Sequence, residues 1–432
     1  MSEPFGPLPP DTDEPGVREL LGRLRLDLTP LRASRDFRRL WIAQTFSFVG
    51  SEVGYVALSY QVYALTNSTL AVGLLALVEL VPLLTMTLVG GTLADAFDRR
   101  RLMLIQQTGM IAGSVIALVN AALPEPHVSA CFVAAFVVIT SFAFGAGAQQ
   151  SLVPRLVPEG QVAAASNLDG LIGSFAAVAG PALCGLLIGT AGLTVCFAVD
   201  TATFFGTVAA VWLLPPLAPL GDIDRPSLRS LAEGFRFILS RRVILGFMLV
   251  DTTAMIFGMP SALFPALATH RFGDPSLVGY LYAASYAGAL VASALGGWVN
   301  HVRRQGLVVV VAACTWGAAI AAFGFATELW VALVLLAAAG GADLVSAVLR
   351  ATMLLELTPD SLRGRLTGIE FAQVASAPAL GNLEAGVVAS LTSIRTAIVS
   401  GGVICVAGCA LLALAFPALI RYDSRARAEA LA

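Results

Sequence analysis

From about residue 41 to residue 418 the chain is a succession of long apolar stretches broken by short clusters of Gly, Pro, Arg and acids. The stretches show neither the two-residue alternation of a half-buried strand nor the one-sided stripe of a soluble helix. They are apolar around the whole helical circumference for ~20 residues, the length that carries a helix through a bilayer. Twelve such helices are predicted, at 41–65, 70–94, 102–123, 128–151, 166–189, 193–214, 243–268, 276–299, 306–326, 328–351, 366–391 and 396–418, with only Ala326, Thr327 and Glu328 parting the ninth from the tenth.

Two segments follow a different rhythm. Val17, Leu20, Leu21, Leu24, Leu28 and Leu31 recur at helical spacing opposite Arg18, Arg23 and Arg25, and Leu228, Leu231, Phe235 and Ile238 form a stripe opposite Arg229, Glu233 and Arg236. Both read as amphipathic helices lying on the inner leaflet. Residues 1–15, rich in Pro and acids, cannot bury a core and are expected to be disordered. The expected organisation is therefore a tail at 1–15, an amphipathic helix at 16–40, a six-helix bundle at 41–214, a cytoplasmic linker at 215–242, a second six-helix bundle at 243–418 and a cytoplasmic tail at 419–432.

Composition sharpens this picture. Of 432 residues 57% are hydrophobic and 12% charged, and the mean hydropathy is +0.82, so this is an all-α membrane protein. The net charge of −2 is uninformative because charge is segregated: every basic residue is Arg, and all but Arg271 and Arg395 fall in segments on one side of the predicted spans. Arg-rich loops stay in the cytoplasm, which puts both termini there. No cleavable leader is expected, since residues 1–40 hold seven Arg and no apolar core. The six Cys lie inside apolar runs without metal-ligand spacing, so neither disulfide nor metal is expected.

The two halves repeat one another. Gly91, Asp95 and Arg99 after the second helix match Gly296, Asn300 and Arg304 after the eighth; Pro158-Glu159 matches Pro359-Asp360, and Gly73 matches Gly279, all at a nearly constant offset. A parallel repeat of six spans fits a transporter whose halves rock about a midplane site.

The loop Gly90-Gly91-Thr92-Leu93-Ala94-Asp95-Ala96-Phe97-Asp98-Arg99-Arg100-Arg101 resembles the signature between helices two and three of the major facilitator superfamily. Gly91 permits close helix approach, and Asp95 can pair with Arg99 or a helix end to latch one conformation, with Arg100 beside them. Gly180-Pro181-Ala182-Leu183-Cys184-Gly185 resembles the Gly-Pro motif of the superfamily's exporters, in which Gly180, Pro181 and Gly185 let helix five pack and bend. Asp36-Phe37-Arg38, Val157-Pro158-Glu159, Leu231-Ala232-Glu233-Gly234-Phe235-Arg236-Phe237 and Thr358-Pro359-Asp360-Ser361-Leu362-Arg363-Gly364-Arg365 are similar to its enterobactin-exporter branch. The resemblance implies the major facilitator fold, twelve helices in two six-helix repeats, and efflux of a siderophore or another lipophilic small molecule, drugs included.

Acids inside the spans are costly and persist for a reason. Glu52, Asp251 and Asp343 are the leading candidates for proton coupling or a substrate cavity, because the superfamily arranges helices one, four, seven and ten around its cavity. Glu79, Asp200 and Glu384 follow. Glu52 stands among small residues in Gly50-Ser51-Glu52-Val53-Gly54, which are expected to leave room for ligand or water. Helix four offers Thr140, Ser141, Gln149 and Gln150 but no Arg, so any proton exchange rests on a carboxylate acting alone. Without Lys there is no GxxxxGK[ST] loop, and no enzyme activity or cofactor is expected.

The sequence thus describes a secondary transporter in a bacterial inner membrane, partnered by a small molecule, protons and lipid, without nucleic acid, and monomeric. Its rivals are a membrane sensor or assembly partner with the same fold, and an uptake transporter.

Overall fold

The computed structural model describes residues 27–215, 228–297 and 302–423. The long helices are α1 Arg35–Thr66, α2 Thr69–Ala96, α3 Arg99–Ala122, α4 Val128–Gln150, α5 Val162–Thr190, α6 Leu193–Trp212, α7 Arg242–Phe257, α8 Leu277–Leu295, α9 Gln305–Phe323, α10 Leu329–Leu357, α11 Arg363–Leu391 and α12 Ile394–Ala415. No strand occurs among the described residues. The first amphipathic segment, except for its last residues, and the tail at 1–15 lie outside them.

Helix ends follow local chemistry. Ser34 caps α1 by accepting from the Phe37 amide at 3.1 Å, Ser68 caps α2 from Ala71 at 3.3 Å, and Asp98 caps α3 from Arg100 at 2.8 Å. Asn67 ends α1 in the left-handed region at φ 49°, its amide bonded to the Tyr63 carbonyl.

Eleven helical segments among the described residues are long and apolar enough to cross a membrane, with α7 and its extension counted as one segment, Arg242–Arg271. The remaining helix, α1, has 32 residues, but Gln44, Ser47, Ser51, Glu52, Ser59 and Gln61 dilute its apolar character. These polar residues face inward or into a cavity, so low hydropathy here reflects position rather than solvent exposure.

The expected continuous helix at 243–268 is corrected by the structure. It stops at Phe257, and after Gly258-Met259-Pro260 the chain continues as a 3-10 turn Ser261–Leu263, a turn of α-helix Phe264–Ala266 and a π turn Leu267–Arg271. Pro260 supplies no amide and restricts Met259 before it. The freed polar groups are satisfied from neighbours: Trp316 Nε1 donates to the Gly258 carbonyl at 3.0 Å, Tyr282 Oη donates to the Ser261 carbonyl at 3.0 Å, and Asn382 Oδ1 accepts from Ser261 Oγ and the Ala262 amide at 2.7 and 2.8 Å.

Helices α1–α6 pack chiefly on one another, as do α7–α12, and two helix pairs, α2 with α11 and α5 with α8, form the main seams between the groups. At the end of the bundle away from the start of α1 and the end of α12 these seams are made by glycine. A Cβ on Gly73 would stand 2.7 Å from the Asn382 carbonyl oxygen, and one on Gly386 2.7 Å from that of Thr69. In the other seam Gly279 lies against the Pro181 carbonyl and Gly185 against that of Ser276. Gly73 and Gly279, the positions equated by the sequence repeat, thus occupy one seam each. Toward the opposite end the picture reverses: side chains added at Gly170 and Gly173 of α5, or at Gly364 and Gly368 of α11, would meet nothing within 4 Å.

The linker helix Leu228–Ser240 docks on the start of α11. Ile238 is buried, Gly234 faces Ile369, and Glu233 pairs with Arg365 at 2.7 Å, while Phe235 and Leu239 are exposed.

Candidate functional site

Two adjoining lobes open inside the bundle. The first, about 350 Å³, lies among α1, α3, α4 and α6 and is walled by Gln44, Glu52, Gln106, Gln107, Ser114, Gln149, Asp200 and several Phe. The second, about 430 Å³, lies between the two helix groups and within the second, against Met255, Pro260, Phe264, Tyr282, Trp316, Asp343 and Asn382. Glu52, Tyr55, Glu79, Ile139 and Tyr286 belong to both walls. No Arg or His lines either lobe among the described residues.

Of the six candidate acids, four are brought to this cavity. Glu52 and Glu79 stand at the junction of the lobes, Asp200 in the first and Asp343 in the second. Among the described residues Glu52, Glu79 and Asp343 have no side-chain hydrogen bond or ion pair, and their carboxylates are left to the cavity. Asp200 is buried on α6, where Oδ2 accepts from Ser114 Oγ at 2.7 Å and Oδ1 has no partner.

The other two lie elsewhere. Asp251 forms a buried ion pair with Arg350 of α10 at 2.5 Å and accepts from Gln373 Nε2 of α11 at 3.0 Å. It therefore knits α7, α10 and α11 together and lines neither lobe. Arg350 had no assigned partner from sequence, because nothing in the apolar pattern says that two helices meet at those turns. Glu384 is half-buried on α11 outside both lobes.

Ser51 and Gly54 line the first lobe beside Glu52, and the two glycines also serve helix packing. Gly50 is filled by Thr203 and Gly54 by the Asp200 carboxylate, so they let α1 and α6 touch. Gly180 packs on the Glu52 Cβ and the Val49 carbonyl, whereas Pro181 and Gly185 face α8. The exporter-like motif of α5 therefore contacts both the cavity acid and one seam.

The loop between α2 and α3 is described in part. Arg99 is buried and donates from Nε to Ser151 Oγ at 2.7 Å, and Arg100 Nη2 donates to the Trp212 carbonyl at 2.5 Å. These contacts tie the loop to the ends of α4 and α6. The side chain of Asp95, the surroundings of Gly91 and all of Asn300 lie outside the described residues. Gly296 caps α8 and Arg304 precedes α9, exposed.

Sequence reasoning found Gln149 but missed Gln44, Gln106, Gln107 and the tyrosines. Gln106-Gln107 is a polar pair within an apolar run, the same signal that marked the acids. Tyr55, Tyr282 and Tyr286 carry no such signal, since tyrosine is common in membrane helices.

Residues 26–430 match the family described as transmembrane secretion effector. The enterobactin exporter EntS of Citrobacter koseri is 30% identical over 390 residues, covering 90% of this chain and 94% of the relative. Among solved structures, a POT family transporter in complex with a thioalcohol-conjugated peptide superposes with a TM-score of 0.70 at 12% identity, over 90% of this chain and 97% of the other. The nucleoside transporter NupG gives 0.68 at 13% identity, over 90% and 100%.

Proposed function

Because this chain belongs to the transmembrane secretion effector family of the major facilitator superfamily, an exporter-type group of membrane transporters, we propose that it exports a small amphipathic molecule in exchange for protons by alternating access. The observation that carries this reading is the cavity itself: three carboxylates without a hydrogen bond or ion pair among the described residues, Glu52, Glu79 and Asp343, around a largely apolar space whose described wall holds no Arg or His. An unpaired acid in a low-dielectric site is suited to gain a proton on one side of the membrane and lose it on the other. Glu52, shared by both lobes and held by the α5 motif, is the principal coupling group.

Twelve spans in two parallel repeats, both termini in the cytoplasm and a monomer in the bacterial inner membrane complete the proposal. In that orientation the glycine seams close the outer end and the cavity opens inward. Asp95 with Arg99 in the first half, and Asn300 with Arg304 in the second, latch this state. The EntS relative supports a siderophore or similar cargo. Charge narrows it further: a wall of acids repels a polyanion in low dielectric, so a ferric catecholate is excluded while a neutral or cationic amphiphile, including a metal-free siderophore, is accepted.

The test is export from proteoliposomes under an imposed proton gradient, wild type against Glu52→Gln. The reading expects gradient-driven efflux from wild type only. It falls if wild type moves no amphiphile, or if tight saturable binding of a ferric siderophore is measured.

A further inference from the structure

Arg271 and Arg395 alone depart from the one-sided distribution of basic residues, and folding brings them to the same place. Arg271 ends the extension of α7, and Arg395 stands in the first turn of α12. Arg271 Nη1 donates to the Gly324 carbonyl at 3.1 Å, while the Arg395 guanidinium lies over the ring of Phe325, 4.6 Å from its centroid. Two cations thus rest on adjacent residues of the α9–α10 loop, at the end of the bundle that holds the glycine seams.

By itself this arrangement is unfavourable. Like charges repel, and Arg395 sits at the positive end of its own helix. Neither arginine is in an ion pair among the described residues: Asp274 accepts from the Ser276 amide at 2.9 Å, and Glu328, which precedes α10, is exposed and also in no ion pair there. A guanidinium carries five N–H donors. Arg271 spends one on Gly324, and Arg395 makes no side-chain hydrogen bond among the described residues. Donors are left for an anion with several acceptor oxygens, the chemistry of a phosphate group.

The surroundings decide which phosphate. Phe325 is 54% exposed, Trp330 in the first turn of α10 68%, and Leu391 at the end of α11 78%. A soluble anion gains nothing from such an apolar rim, whereas a phospholipid sets its phosphodiester at the depth of interfacial aromatic residues and lays its chains along the apolar helices. We propose that Arg271 and Arg395 form a binding site for the headgroup of an anionic phospholipid, seated between the extension of α7, the α9–α10 loop and the start of α12. The site lies apart from the cavity and is independent of what the protein carries; its assignment to the outer leaflet rests on the orientation proposed above.

The experiment uses the full-length protein with its native cysteines replaced, carrying a nitrobenzoxadiazole fluorophore on Leu391→Cys and reconstituted in phosphatidylcholine vesicles. A doxyl-labelled lipid quenches the fluorophore only when it resides beside it, so quenching by doxyl-phosphatidylglycerol against doxyl-phosphatidylcholine reads the local lipid preference. Both lipids occupy both leaflets, which makes the reading independent of orientation. The site expects phosphatidylglycerol to be favoured about tenfold. Arg271→Gln together with Arg395→Gln should bring the ratio to within about twofold of one, whereas Arg271→Lys with Arg395→Lys, which keeps the charge, should retain at least about half of the preference. Equal quenching by the two lipids with both arginines intact would overturn the inference, as would a preference undiminished by the paired Gln substitutions. So would a preference lost in phosphate buffer but kept in chloride of equal ionic strength, which would give the site to a soluble anion. A tenfold preference in a protein whose position 395 is labelled only in inside-out vesicles sinks the orientation and leaves the lipid site standing.

Discussion

A carboxylate without a partner and one locked in an ion pair respond differently to neutralisation, and this protein offers both. Glu52→Gln keeps size and removes the proton-exchanging group, so gradient-driven efflux should fall to background and its pH dependence should flatten while abundance stays normal; flux measured in proteoliposomes between pH 6 and 8 checks this. Asp251→Asn should act on stability instead. It strands Arg350 in a buried site, a loss of about 3 kcal/mol or more, whereas adding Arg350→Met should restore most of the thermal stability measured in detergent. The sequence made the acids legible because a charge inside an apolar run is conspicuous. It could not tell Glu52 from Asp251, since the difference lies in what stands across the helix interface. The glycines beside Glu52 show the same limit: small size in sequence signals closeness, but only packing shows that Gly50 faces Thr203 while Gly54 lines the first lobe against Asp200.

At the scale of elements, apolar run length located most helix ends closely, whereas α1 begins at Arg35 and α10 runs on to Leu357, beyond their apolar runs. The break after Phe257 was less legible, because Gly258 and Pro260 sit inside a hydrophobic stretch whose satisfaction depends on Trp316, Tyr282 and Asn382 from three other helices. The glycine seams yield a direct prediction. Gly279→Leu has no room beside the Pro181 carbonyl, so it should hold that seam apart. A cysteine at Ser285, in a background with the native cysteines replaced, should then react several-fold faster with a membrane-impermeant maleimide added outside, and export should drop. Unchanged labelling with full export would show that this seam does not govern access.

For the whole molecule, the side of the membrane on which each end lies is the claim that organises all others. Cysteines at Arg303 and Arg395 should be labelled from opposite faces, the first only in inside-out vesicles and the second only in intact cells; the reverse result would invert the transport direction argued above. An all-helical membrane bundle was legible from the apolar runs and the loop signature, whereas the asymmetry of its two lobes was not, because similar landmarks along the chain conceal different interiors. The seams carry one more consequence. Where two helices touch backbone to backbone, there are few side chains whose rotamers must freeze when they meet or be released when they part. Opening and closing such a gate therefore involves little configurational entropy, so the free-energy difference between its states should vary weakly with temperature and yield readily to the charge and occupancy of the cavity beneath it. Turnover in this protein would then be timed by its cargo and its protons, with the glycines serving as a nearly neutral bearing.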